Sequence, residues 1–224
     1  MSDYYTKISD LPPEMPVFPL RGVILLPRCT LPLNVFEPRY LTLVNDVLAG
    51  ERMIAIVQPE GNEPEESPQG RSVPLRRVGC AGRLTAFQET EDNRVLISLT
   101  GVCRFDVAEE VPTDLPYRIA RLDYSRFADD LQRGKGEDDV DRERLLKVLR
   151  DYLEVNELQA DWDSINRSAN EPLVNTLSML SPYGPEEKQA LLEAATLKER
   201  AEALIALAEM DMAGANGDSG STIQ

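Results

Sequence analysis

The chain has 224 residues, 42% of them hydrophobic, and a net charge of −15, enough apolar material for one large domain or two small ones. The acidic surplus disfavours nucleic acid and anionic membranes as partners, because phosphate-rich surfaces need a basic counterpart. With no histidine in the chain, Ser-His-Asp and Cys-His catalysis and every His-containing zinc site are excluded.

Residues 1–125 carry 13 Lys+Arg against 18 Asp+Glu, and residues 126–224 carry 11 against 21. A domain boundary is expected near residue 125. Cys29, Cys80 and Cys103 show no CxxC spacing, so no zinc ribbon is expected. The odd count, without a signal peptide, points to a reducing cytoplasm. No apolar run approaches the roughly 20 residues that span a bilayer. The apolar stretch 16–40 is interrupted by Arg21 and Arg28.

The N-terminal half reads as strands. In "TLPLNVF" Leu31, Leu33 and Val35 alternate on one face, and Pro32 on the other implies an edge or a bulge. Pro16, Pro19 and Pro27 are expected at strand ends, edges or bends. Glu37-Pro38 opens a helix with Pro38 at its first position. Leu41, Val44, Val47 and Leu48 form its stripe, and Gly50 sits where a terminal glycine belongs. "MIAIVQ" (53–58) reads as a buried strand, 59–72 as a mobile polar loop, and "YRIARLDY" (117–124) as a further strand.

The run 78–107 is a hairpin. Its even positions (Val78, Cys80, Leu84, Ala86) and then its odd ones (Val95 to Val107) are apolar. A two-residue turn at Asp92-Asn93 pairs Glu91 with Arg94, so Gly82 faces Cys103, Leu84 faces Gly101 and Cys80 faces Phe105. Inward glycines let such a ribbon coil sharply.

Residues 127–139 read as a charged connector, and helices follow. Their expected stripes are Leu145, Leu149 and Tyr152; Leu173, Leu177 and Leu180; and Leu197, Ala201, Leu204 and Ala208. Asp161 caps the helix carrying Trp162. Thr196 and Glu199 form a capping box, and Pro185 with two acids restarts a helix after Pro182–Gly184. Residues 1–125 are thus one domain, 126–212 a helical subdomain, and 213–224 a disordered tail.

Chemistry is sparse. The Walker A pattern is absent, and "RGKGEDD" lacks the Ser/Thr and preceding strand of a phosphate loop. The acidic run 137–143 lacks calcium-loop spacing and reads as a solvated helix start. The five lysines fall in tails, linkers or polar helix faces, which argues against Ser-Lys catalysis. Arg39, Arg104 and Tyr40 could hold a carboxylate, but internal pairing with Glu37 or another acid is favoured. For Trp162 a core plug between helices is favoured over a binding role. No catalytic residue, cofactor or metal is expected.

The segment "FPLRGVILLPRCTLPLNVFEPRY" (18–40) resembles the signature of the Lon protease N-terminal domain, the LON substrate-binding domain. The hairpin "GRLTAFQETEDNRVLISLTGVCRFDV" (82–107) resembles that family's second signature, and "EKQALLE" (187–193) its helical part. The signature positions are Pro19, Phe36, Glu37, Pro38, Arg39, Gly101, Arg104 and Phe105. The resemblance implies an α+β fold, a PUA-like pseudo-barrel of about six strands with one short helix, then a helical bundle. It implies a non-catalytic module that recognises unfolded or tagged polypeptides, an adaptor working with a Lon-type protease in the cytoplasm, and it leaves a homo-oligomer open. Arg21, Tyr40, Phe87, Trp162 and Tyr183 are the expected peptide-binding residues, in a groove where barrel and bundle meet. The alternative is a small-molecule-binding regulatory domain.

Overall fold

The structure, a computed structural model, describes residues 5–61, 73–91 and 94–218. It is α+β. Six strands, β1 (Glu14–Pro19), β2 (Thr30–Val35), β3 (Met53–Pro59), β4 (Leu75–Glu89), β5 (Val95–Val111) and β6 (Ile119–Asp123), form a mixed sheet of order β2-β5-β4-β3-β1-β6. β1 and β3 are parallel, the other pairs antiparallel. A further β5–β6 pairing closes the ladder, so the long β5 holds β2 along its first half and β6 along its second. The helices are α1 (Pro38–Ala49), α2 (Arg142–Val155), α3 (Trp162–Arg167), α4 (Asn170–Leu180), α5 (Pro185–Glu193) and α6 (Leu197–Asp218). The chain divides into two compact units, Met1–Arg133 with Tyr183–Leu192, and Gly134–Pro182 with Glu193–Gln224.

The prolines of the opening stretch have distinct places in the first unit. Pro16 lies inside β1, not at its end, where that strand changes partner from β6 to β3. The Val17 N–H donates to Arg118 O on the β6 side, so the N–H that Pro16 lacks would point at β3, where pairing has not yet begun. Pro32 lies on β2, which among the described residues pairs only with β5 and is an edge of the sheet. Leu31 and Val35 are buried and Thr30, Pro32 and Asn34 exposed, the alternation a half-buried strand requires.

The hairpin differs from its expected register. β4 and β5 pair Cys80 with Arg104, Gly82 with Gly101, Leu84 with Leu99 and Phe87 with Ile97, with irregularities between Ala81 and Gly82 and between Leu84 and Ala86. These bulges each change parity, so Ala86 is exposed and Phe87 shares the face of Ile97. Asp92 and Asn93 lie outside the described residues, as do 62–72 of the polar loop.

The glycines are required by close approach as well as by coiling. A Cβ on Gly101 would stand 2.1 Å from Leu26 O, and one on Gly79 2.6 Å from both Ile56 O and the Phe105 ring. The segment leading into β2 therefore runs directly over Gly101, held by Arg28 N–H to Gly101 O at 2.8 Å and Gly101 N–H to Cys29 O at 2.9 Å.

α1 starts at Pro38 and ends before Gly50, as its sequence dictates. Its buried stripe is Tyr40, Leu43, Val44 and Val47; Leu41 and Leu48 are only half-buried. α5 packs within the strand unit through buried amides. Gln58 Oε1 accepts from the Gly22 N–H at 2.7 Å, and Gln58 Nε2 donates to Pro185 O at 2.9 Å and Gln189 Oε1 at 3.0 Å. Gln189 Nε2 in turn donates to Val78 O at 3.1 Å. Lys188, expected on a polar face, is instead 3% exposed, and burial lowers its ammonium pKa to about 8.

In the second unit Asp141 and Asp161 cap α2 and α3, accepting from Arg144 N–H at 3.0 Å and Ser164 N–H at 3.1 Å. Thr196 and Glu199 form the expected reciprocal box at the start of α6. The α6 stripe of Leu197, Ala201, Leu204 and Ala208 is buried. On α2, Leu145, Val148 and Tyr152 are buried and Leu149 is not fully so. On α4, Leu180 is 76% exposed, and Val174, Asn175 and Ser178 fill the inner face instead. α6 continues to Asp218, through the first residues of the stretch read as a tail.

Candidate functional site

The signature residues meet in the first unit. Arg104, on β5, is 4% exposed and grips Asp130 bidentately, Nε to Oδ2 and Nη2 to Oδ1, both at 2.8 Å. Asp130 Oδ2 also accepts from the Arg104 backbone N–H at 2.9 Å, and Arg104 Nη1 donates to Leu192 O at 3.0 Å. The guanidinium lies 4.4 Å from the Phe127 ring centroid. One side chain therefore joins β5, the 3-10 turn Ser125–Leu131 and the end of α5. The expected connector at 127–139 thus begins with a structured turn that buries Phe127 and Asp130. Phe105 is fully buried, edge-on to Tyr124 at 6.1 Å.

Around this pair the thiols of Cys80 and Cys103 are pushed well above their ordinary range, by burial first and by the nearby Asp130 carboxylate second. They are unreactive core side chains, and Cys29, Cys80 and Cys103 are all unbridged. The Arg104 site is thus a closed structural lock. Asp130 is the residue sequence reasoning missed, since nothing distinguishes it from the solvated acids around it.

The other signature residues are also architectural. Pro19 ends β1, and Pro38 starts α1. Glu37 Oε2 accepts from Arg39 Nε at 3.1 Å and from Nη2 at 2.9 Å, the internal pair that was favoured. Phe36 is the exception at 61% exposed, with the Arg94 guanidinium 5.7 Å from its ring.

The four expected binding residues of the first unit, Arg21, Tyr40, Phe87 and Tyr183, are not gathered at one place. Tyr40 is 3% exposed, stacked on Phe18 at 4.1 Å in the core, with the Arg39 guanidinium 4.7 Å from its ring. Arg21 is exposed and donates to Gly61 O; it flanks Gly22, which Gln58 ties to Pro185, two residues beyond half-buried Tyr183. Arg21 and Tyr183 therefore share a neighbourhood. Phe87 is half-buried at the far end of β4, in one cross-strand row with Ile97 and Leu33. At the same end of the sheet but on the opposite face, Phe36 is exposed and Leu96, across from Asn34, is 42% exposed. Trp162 belongs to the second unit and is no core plug: it is half-buried, with the Arg150 guanidinium 4.8 Å from its ring.

Among the described residues no group of three or more His, Cys, Asp or Glu is placed to hold a metal ion, and no helix is long and apolar enough to cross a membrane. Two solved structures share the fold. A Lon N-terminal domain protein from Xanthomonas campestris matches with a TM-score of 0.61 and 23% identity, over 86% of this chain and 97% of that one. The N-terminal domain of Mycobacterium avium complex Lon protease matches with 0.64 and 16%, over 88% and 98%. In sequence, the Lon protease of Flavobacterium johnsoniae is 27% identical over 196 residues, 86% of this chain and 23% of that protein. Lon protease 2 of Myxococcus xanthus is 28% identical over 202 residues, 89% of this chain and 24% of that protein. The chain therefore spans about a quarter of the length of these relatives. The family model of the ATP-dependent protease La (LON) substrate-binding domain matches residues 14–209, and the chain belongs to that family.

Proposed function

We propose that this protein is a non-catalytic module that binds unfolded or tagged polypeptides in the cytoplasm and acts as an adaptor to a Lon-type protease. The observation that carries this reading is the match of residues 14–209 to a domain described as substrate-binding. The absence of histidine supports the non-catalytic part, since it removes the commonest general base.

The surface we assign to client chains is the outer face at the end of β2 and β5, where Phe36 and Leu96 lie, with Phe87 a secondary candidate on the other face of the same end. Arg21, Tyr183 and Trp162 are secondary candidates, and Tyr40 is dropped because its ring is in the core. Calorimetry with a reduced, carboxymethylated model protein is the test, with Phe36→Ser/Leu96→Ser as the surface variant. Binding at roughly 10–100 µM is expected, weakened by the double variant. If no unfolded chain binds in that range, the reading fails.

A further inference from the structure

The free edge of β2 has a defined hydrogen-bonding phase. The Gly101 N–H bonds to Cys29 O, and the β2–β5 register pairs Leu31 with Leu99, Leu33 with Ile97 and Val35 with Val95. Antiparallel strands alternate hydrogen-bonded and non-hydrogen-bonded pairs. Leu31, Leu33 and Val35 therefore spend their backbone groups on β5, and Thr30, Pro32 and Asn34 aim theirs at the open edge. On the other side of β5 the same phase is visible: Ser98 O, which β2 leaves unused, accepts from Thr85 Oγ1 on β4 at 3.1 Å.

Thr30, Pro32 and Asn34 are exposed, and among the described residues none of their edge N–H groups donates to the backbone outside the β2–β5 ladder. The edge thus presents three carbonyls and two N–H groups, Pro32 contributing only its carbonyl. None of these three positions bears a charge, so they lack the lysines that commonly blunt open strands, and Pro32 is the one among them that blunts pairing. Beside it lie Phe36 and Leu96, the latter directly across from Asn34.

We infer that β2 is a docking edge on which an extended, apolar segment of an unfolded polypeptide adds as a further strand. This deepens the client-binding reading and rests on it. Backbone groups supply sequence-tolerant affinity, as β-augmentation does, and Phe36 and Leu96 supply the preference for apolar side chains. The missing donor at Pro32 leaves one bond of the ladder unmade, which keeps such capture weak and reversible.

Amide hydrogen exchange on the full chain, with and without a saturating Val/Ile/Phe-rich peptide, is the direct test. Slowed exchange at the Thr30 and Asn34 amides is expected, with those of Leu31 and Leu33 already protected by β5. A peptide N-methylated at alternate residues is expected to bind at least tenfold more weakly than its parent. Asn34→Pro, which removes one of the two edge N–H groups, is expected to weaken binding similarly, with an unchanged thermal melt showing that the variant is folded. If the peptide binds but protects neither amide, the edge assignment is overturned while client binding stands. If no unfolded chain binds at all, the functional reading itself has failed.

Discussion

Arg104 and Asp130 show why a family arginine can be conspicuous in sequence without taking part in recognition. A guanidinium at 4% exposure is stable only with its carboxylate, its carbonyl partner and the Phe127 ring in place. Asp130→Ala leaves that charge buried and unpaired, and is expected to cost about 3–5 kcal/mol in urea unfolding. The double replacement Arg104→Met/Asp130→Leu is expected to recover most of the loss, because removing both partners also removes the desolvation penalty. Lys188 is a buried cation whose charged form is weakened by desolvation. Its folded pKa of about 8 lies below its ordinary value of 10.5, so the unfolded chain binds the proton more tightly. Its burial penalty is therefore fully present below pH 8 and fades as pH rises from about 8 to 10.5. Lys188→Met is expected to stabilise the protein by about 1–3 kcal/mol at pH 7, with the gain shrinking across that window in thermal melts.

At the scale of elements, the hairpin separates what alternation reveals from what it hides. Alternation correctly marks two apolar strands and a shared inner face, because the pleat has a strict period of two. It cannot see bulges, each of which inserts one residue and flips every side chain beyond it. That is why Phe87, and not Ala86, lies in the row of Ile97. The glycines are visible in the sequence, but the neighbours that require them, Leu26 for Gly101 and Leu25 for Gly82, belong to a segment far earlier in the chain. Gly101→Ala drives a Cβ against the Leu26 carbonyl, which is main chain, and is expected to destabilise by about 3 kcal/mol or more. Gly82→Ala meets the movable end of Leu25 at 2.8 Å and is expected to cost roughly 1–2 kcal/mol by the same chemical denaturation. Helix ends were legible for a similar reason: the caps at Asp141, Asp161 and Thr196 are local hydrogen bonds. Helix faces were less so. Leu180 follows the apolar spacing of α4 yet is exposed, since spacing does not say where the packing partner ends.

For the whole molecule, a net charge of −15 on 224 residues gives self-repulsion that ordinary salt screens. Raising NaCl from about 10 to 150 mM is expected to raise the melting temperature by a few degrees in calorimetry, and a fall would contradict a repulsion-limited fold. The sequence by itself determined the strand-then-helix order and the exclusion of histidine chemistry, because composition, local caps and period-two or period-3.6 patterns depend on neighbours along the chain, and its segments 18–40 and 82–107 carried the resemblance to the family. Only the tertiary structure decided that Tyr40 belongs to the core, that Lys188 is buried, that Asp130 is the partner of Arg104, and that β2 is an open edge. Those facts depend on side chains and strands brought together from distant positions, and a linear pattern carries no record of which surface another element will cover.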